Sequence, residues 1–431
     1  MLYTLALFTA LFVATLTLMV GSGLLGSLLS LRMALEGFSE PVIGLVMAGF
    51  YVGLVGGSFV CPAIVQRAGH IRAFAAFAAV NTTATLLYPL FLSAPAWFGF
   101  RLLTGISMMG LYMVVESWLN DRTEPHMRGR VFSVYMAMTF LGLGSGQFLL
   151  KFRPIESGDL FLVVGIFTSL CLLPVVLTRA LHPQLPETSH LELGRLLRKA
   201  PLGLLGSLTT GMIASAFYCM APVFVSRSGL SVSIVAYFMA TTILCGLALQ
   251  WPVGILSDRS DRLRVLSVIA LLVCLASLVI VLVGGRSLWL LIPATAAYGG
   301  LAFTLYPVAV AHTNDRLDPS EIVPASTALI LFYGLGACLG PPLASAAMKF
   351  LGPEGLYAFI ALCSGLLAAA VIRFRPAAKP AYEEALPYMP VPRTSHVVTA
   401  LDPRTAPSST DRTHDEGSEE EPEQTNENNL P

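Results

Sequence analysis

Long apolar runs, each near twenty residues and separated by short polar breaks, recur along most of the chain. Breaking it at charged residues and at Pro/Gly clusters predicts twelve spans, at 4–31, 41–63, 73–94, 97–119, 131–150, 159–178, 202–225, 232–256, 265–284, 288–311, 324–349 and 354–372. A helix of about 20 apolar residues crosses a hydrocarbon core of roughly 30 Å. Lipid offers no hydrogen-bond partners, so unbroken runs of this length imply helices, whose backbone groups are satisfied within the segment. Two stretches interrupt the rhythm. "TRALHPQLPETSHLELGRLLRKA" (178–200) follows the sixth span, and a Pro-, Ser-, Thr- and Glu-rich tail follows the twelfth. The tail has too few apolar residues to build a core and is expected to be disordered. The expected division is 1–178, six helices; 179–201, a linker; 202–373, six helices; and 374–431, a tail.

Composition agrees with an all-α membrane protein. The chain is 55% hydrophobic and 12% charged, half the roughly 25% charge of soluble domains. The formal net charge is zero with no basic block, which argues against a nucleic-acid partner. Seven cysteines stand singly in apolar segments, without metal-ligand spacing, so neither metal nor cofactor is expected. The N-terminal run lacks a basic leader and is too long for a cleaved signal, so it is expected to stay as the first span.

Lysine and arginine set the orientation. One set of alternate loops holds Arg67 and Arg72; Arg122, Arg128 and Arg130; Arg179, Arg195, Arg198 and Lys199; Arg259, Arg262 and Arg264; and Arg316. The other holds Arg32, Lys151, Arg153, Arg227, Arg286 and Lys349. The richer set should face the cytoplasm, which puts both termini inside.

The two halves repeat. "QRAGHIR" (66–72) falls on "DRSDRLR" (258–264) at an offset of 192, and "GLG" recurs at 142–144 and 334–336. The fourth and tenth spans each run into Asn-Asp-Arg, at 120–122 and 314–316. Parallel repeats of this kind place a solute site between the halves, near the bilayer midplane.

Over residues 1–373 the sequence resembles the major facilitator superfamily of secondary transporters. "GILSDRSDRLR" (254–264) is similar to the superfamily's loop signature, Gly-x-Leu-x-Asp-Arg-x-Gly-Arg-x-Arg, with Asp261 where Gly is usual. "PAIVQRAGHIR" is a degenerate copy with Pro62 for Gly and Gln66 for Asp. "RLLTG" (101–105) resembles the Arg-x-x-x-Gly signature of the fourth span. "GACLGPP" (336–342) carries a Gly-x-x-x-Gly-Pro core in the eleventh span, while the fifth has Gln147 for Pro. "VVES", "QWPVG", "FTLYPVAVAH" and "GLGACLGPP" resemble, more narrowly, the bacterial YcaD-type branch. The resemblance implies twelve helices in two pseudo-symmetric six-helix bundles. It further implies a monomer in the bacterial cytoplasmic membrane that moves a small organic solute by alternating access, with protons as the expected coupling partner. An uncoupled facilitator is the alternative. A sensor or membrane enzyme fits less well, because no nucleophile elbow or catalytic carboxylate pair is present.

Two opposite charges on one apolar run carry the sharpest chemistry. Arg101 and Glu116 are 15 residues apart, about 22 Å along a helix and about 60° around it. Gly105, Met108 and Tyr112 lie between them on the same stripe. A charge inside a span faces a cavity or a partner, and these two are too far apart to serve each other. For Arg101 two readings stand: an anion or proton-coupling site in the outer half of the cavity, or a snorkelling side chain near the interface. For Glu116 they are a proton carrier and an inner lock bridged to Arg67 or Arg72.

The resemblance adds Asp258 to a cytoplasmic gate network with Arg259 and Arg262, its carboxylate meeting a helix N-terminus of the other half. Tyr218, Gln250, Tyr298 and Tyr306 are expected to line the solute pathway with Arg101 and Tyr112. Gly142, Gly146, Gly336, Gly340 and Pro341 should allow close approach and bending where the halves rock.

Overall fold

The computed structural model describes residues 2–124, 127–177, 193–318 and 321–374. Apart from short 3-10 turns, every described element is an α-helix. The first half contains α1 (Leu2–Leu35), α2 (Glu40–Ala68), α3 (His70–Leu87), α4 (Ala94–Arg122), α5 (Arg128–Phe148), α6 (Asp159–Leu170) and α7 (Leu172–Val176). A short α8 (Leu193–Lys199) leads into α9 (Pro201–Arg227), α10 (Val232–Asp258), α11 (Arg262–Val283), α12 (Leu288–Ala302), α13 (Leu305–Asn314), α14 (Ile322–Leu351) and α15 (Gly355–Phe374). With α6 and α7 forming the sixth span and α12 and α13 the tenth, twelve segments are long and apolar enough to cross a membrane. Residues 178–192, most of the expected linker, and 375–431, the expected disordered tail, lie outside the described residues.

The helices run several residues past the apolar stretches, so that Arg67, Arg122 and Asp258 are still helical. Within the first half α1 packs on α5 and α6, α2 on α4, and α3 on α4 and α6. In the second, α9 packs on α14, α10 on α12, and α11 on α15. These are two six-helix bundles. They meet along α2 with α14, α5 with α10, and α1 with α9.

Glycines set the closest of these crossings. Gly49, Gly53 and Gly57, spaced four apart on α2, all face α4, a spacing that puts them on one helix face. A Cβ on Gly53 would stand 2.2 Å from the Leu102 carbonyl oxygen, and one on Gly105 would stand 2.1 Å from that of Phe50. Between the bundles the pattern is subtler. Gly142 and Gly146 press against α1, and Gly336 and Gly340 against α9, each inside its own bundle. Two neighbouring glycines turn outward: Gly144, between the first pair, meets Leu244 of α10, and Gly334, just before the second, meets Val55 of α2. Pro341 sits at the crossing as well, its carbonyl oxygen 2.5 Å from where a Cβ on Gly44 would be.

The expected continuous tenth span, 288–311, is interrupted. The chain leaves the helix at Phe303 and Thr304 before α13 begins. Pro307 has no N–H to return to the Phe303 carbonyl, which removes one rung of the helical ladder. At the break, Thr304 donates both its N–H, at 3.1 Å, and its hydroxyl, at 2.7 Å, to the Leu301 carbonyl.

The repeated loops join their helices in two different ways: one residue, Gly69, links α2 to α3, and three residues, 259–261, link α10 to α11. Gly69, between α2 and α3, has φ +81°, a conformation that glycine alone adopts without strain. Its counterpart at offset 192 is Asp261, with an ordinary φ of −60° and a carboxylate that accepts from the N–H groups of Leu263 at 2.9 Å and Arg264 at 3.1 Å. The residue that departs from the signature is therefore a helix N-cap.

Gly53→Ala should lower the melting temperature of the detergent-solubilised protein by several degrees, because its Cβ would meet backbone. Gly56→Ala, with open space around it, should leave it unchanged. Equal effects of the two changes would refute the account of the α2–α4 crossing.

Candidate functional site

A cavity of about 200 Å³ lies between the bundles, lined from α1 to α6 on one side and from α9, α10, α13 and α14 on the other. Arg101, Tyr112, Tyr218 and Gln250 border it. So do Phe50, Tyr51, Phe140, Phe303 and Tyr333, with Asn81, Thr139 and Gln147 among the polar groups. The break in the tenth span contributes directly. It turns Phe303 inward, where its ring stacks on Tyr218 at 5.5 Å and meets Phe140 edge-on at 5.9 Å.

Arg101 is the one formal charge on this wall among the described residues. The side chain is only 5% exposed, so the surface-snorkelling reading does not describe it. Its guanidinium lies 4.6 Å over the Phe50 ring, a position fixed by the Gly53–Gly105 crossing one turn away. No carboxylate pairs with it among the described residues, and its Nε has no acceptor. Tyr51 and Cys219 share the wall with it. Stacking on an aromatic face contributes about 0.5–2 kcal/mol. A guanidinium in a membrane span costs about 2.5–3.5 kcal/mol on insertion scales. Stacking alone does not close that gap.

Two more polar atoms at the cavity are unsatisfied: Asn81 Oδ1 on the first bundle and Gln250 Oε1 on the second. Gln147, by contrast, is fully engaged. Its amide donates to the Gly23 carbonyl at 2.8 Å and accepts from the Ser27 hydroxyl at 2.6 Å, tying α5 to α1.

Glu116 lies beyond the cavity, towards the arginine-rich face, and is completely buried. The Tyr135 hydroxyl of α5 donates to its Oε1 at 2.9 Å. Arg67 and Arg72 are both exposed, and no ion pair joins either to Glu116 in this conformation. The expected lock is thus not made here, because those arginines stand on the loop surface while the carboxyl is held inside its own bundle. Arg262 is buried and pairs with Asp315 at 2.7 Å and Asp258 at 3.4 Å, so this part of the expected gate network ties α10, α11 and α13 within the second bundle. Arg259 is exposed.

Tyr298 and Tyr306 do not reach the cavity. Tyr298 is enclosed by Phe217 and Tyr357, at 5.6 and 5.5 Å, and Tyr306 packs edge-on behind Tyr333 at 5.2 Å. The hydroxyls of Ser207, Thr210 and Ser215 on α9 donate to carbonyls of their own helix.

The arginine-poor face is clasped across the bundles. Arg227, ending α9, pairs with Glu40, opening α2, at 3.3 Å. Lys151 donates to the Tyr237 hydroxyl at 3.0 Å and stands over its ring. On the opposite face α8 is held to the start of α14. Glu321 accepts from Lys199 at 2.7 Å and from Arg195 at 3.0 Å.

The Major Facilitator Superfamily profile matches residues 11–303 and 239–401. An uncharacterized MFS-type transporter, YcaD, from Escherichia fergusonii is 28% identical over 354 residues, covering 81% of this chain and 91% of its own. The YcaD protein of Shigella flexneri is 27% identical over 351 residues, with the same coverage. Among solved structures, the nucleoside transporter NupG superposes with a TM-score of 0.71 at 12% identity, over 87% of this chain and all of its own. A D-xylose-proton symporter gives 0.68 at 12% identity, over 87% and 98%. An inward-facing bacterial homolog of the human lysosomal transporter Spinster gives 0.65 at 14% identity, over 93% and 97%.

The Lys199 ammonium hydrogen-bonded to Glu321 lowers that carboxyl below its ordinary value of 4.5, helped by the Asp318 backbone N–H. A depressed carboxylate stabilises the fold above its unfolded value, and that contribution is lost as pH falls through the folded one. Glu321→Gln should therefore lower the melting temperature modestly at pH 7, and the difference from wild type should vanish as the medium is acidified below 4.5. A difference that persists or grows in acid would contradict the assignment.

Proposed function

Because the chain belongs to the Major Facilitator Superfamily and is a membrane transporter rather than an enzyme, we propose that it is a proton-coupled secondary transporter moving a small organic solute by alternating access. The observation that carries this reading is the cavity at the seam of the two bundles, with one buried charge and unsatisfied amide oxygens on its wall among the described residues. Alternating access requires two states separated by a few kcal/mol. A clasp such as Glu40–Arg227 at the protein–water boundary contributes about 0–1 kcal/mol, small enough to break and re-form within that gap.

In this reading residues 1–178 and 202–373 are the rocking units. The linker and tail lie on the cytoplasmic side with both termini, and a monomer in the bacterial inner membrane is the working form. The excess of arginine on one set of loops supports the orientation. Glu116 is assigned as the proton carrier. A carboxyl that is entirely buried and held by a tyrosine hydroxyl can change charge when the surrounding helices move and water reaches it. The fold shared with a D-xylose-proton symporter accommodates such coupling.

An uncoupled facilitator is the second reading. It is favoured by one fact: among the described residues no carboxylate borders the cavity. The two are separated in proteoliposomes of purified protein, by following internal pH as solutes are added and solute entry under an imposed pH gradient. Coupling predicts solute-driven proton entry in the wild type. Glu116→Gln should then lose gradient-driven accumulation by tenfold or more while retaining solute counterflow. If Glu116→Gln affects accumulation and counterflow equally, the facilitator reading stands and the proton-carrier assignment fails.

A further inference from the structure

The charge inventory of the cavity bears on what fills it. Among the described residues its wall carries one formal charge, the Arg101 guanidinium, and no carboxylate or histidine. That side chain is 5% exposed, in no ion pair among the described residues, and placed over Phe50 at 4.6 Å. A buried cation without a counter-charge is a poorly compensated state. An incoming anion removes the deficit, whereas a neutral solute leaves it and a cation adds to it.

We propose that the solute is a small organic monoanion with a flat apolar body, a one-ring carboxylate in size and shape, whose anionic group docks on Arg101. The proposal deepens the transporter reading and rests on it. Four observations converge. A guanidinium is a planar fork that matches a carboxylate through two hydrogen bonds. The rings of Phe50, Tyr51, Phe303 and Tyr333 line the space and supply aromatic contact for a ring. The volume of about 200 Å³ exceeds the roughly 150 Å³ that accommodates benzene in a protein interior, leaving room for one added polar group. Across the cavity, the unsatisfied Gln250 Oε1 can accept from a hydroxyl on the far edge of the ring.

The same inventory sets exclusions. A dianion would bring a second charge with no partner, and a zwitterion would bring an ammonium to a wall without acids. Selectivity should therefore follow charge before shape.

The test uses the full-length wild-type protein in detergent with no gradient present. Thermal stabilisation and calorimetric binding are measured for benzoate, hydroxybenzoates and phenylacetate, each beside its neutral amide, with benzylammonium and phthalate as the charge controls. One-ring monoanions should bind at millimolar concentration or better, and tighter than their amides by about tenfold or more, the range of a hydrogen bond to a charged group. Benzylammonium and phthalate should bind more weakly than benzoate. Arg101→Gln should erase the acid–amide difference, and Arg101→Lys should retain part of it. If Arg101→Gln does not fold, the wild-type comparison decides by itself.

Monoanions that do not bind, or amides that bind equally well, overturn the proposal. So does an acid preference that survives Arg101→Gln. Because binding is read at equilibrium, the proposal can fail while a neutral solute is still transported. It can also hold in a protein that accumulates nothing, which would instead sink the coupled-transport reading.

Discussion

A guanidinium held away from water without an opposing charge is the constraint on which the arrangement turns. In a chain with so few charges, placing Arg101 inside a span is costly, and the fold does not cancel that cost internally. It builds a place for the charge instead. The glycines of α2 let α4 approach closely, that approach lays Phe50 under the guanidinium, and the exposed side of the charge borders the space between the bundles. Sequence, helix packing and cavity chemistry meet at one side chain. The other charge of the run is treated in the opposite way. Glu116 lies away from the cavity with a tyrosine on its carboxyl, so the two ends of one helix serve different tasks.

The halves share an outline without sharing chemistry. At one repeat position Gly69 makes the turn through its backbone and Asp261 makes it through a capping carboxylate. At the next, His70 lies against Trp118 while Arg262 joins Asp258 and Asp315. A parallel repeat needs only the helix directions and the packing to agree, so polar residues at equivalent sites diverge. The second bundle therefore carries a charged knot at its arginine-rich end, and the first carries an aromatic one.

Much of this was legible in the sequence, for a physical reason. Lipid leaves the backbone few solutions, so runs of apolar residues mark twelve helices and the half-length repeat marks two bundles. Arg101 was legible because a charge in an apolar run needs an explanation. Tyr112, Tyr218 and Gln250 were placed on the pathway, and the cavity reaches them. Tyr298 and Tyr306 were placed there too, but a helical stripe defines a face and not what the face meets; theirs meets other rings. Phe50 and Tyr333 carried no signal as cavity residues, since an aromatic in a span reads as packing. For Phe303 a signal existed in Pro307, four residues on, which withdraws a backbone donor and turns the ring inward. The charges of the arginine-rich loops were found as a group, but their pairing was not, because side chains at a water boundary choose partners according to the conformational state.

The central claim is that two rigid bundles rock about a shared cavity, clasped on the arginine-poor face in the conformation described. Paired spin labels in a cysteine-free background test it most directly, one pair at Ser93 and Arg286 on that face and another at the exposed Arg72 and Arg259 on the opposite one. Distances would be compared between wild type and a variant combining Glu40→Gln with Arg227→Gln. The account predicts reciprocal movement: without the clasp, the first pair lengthens and the second shortens. Distances that stay fixed in both pairs, or change in the same sense, would contradict it.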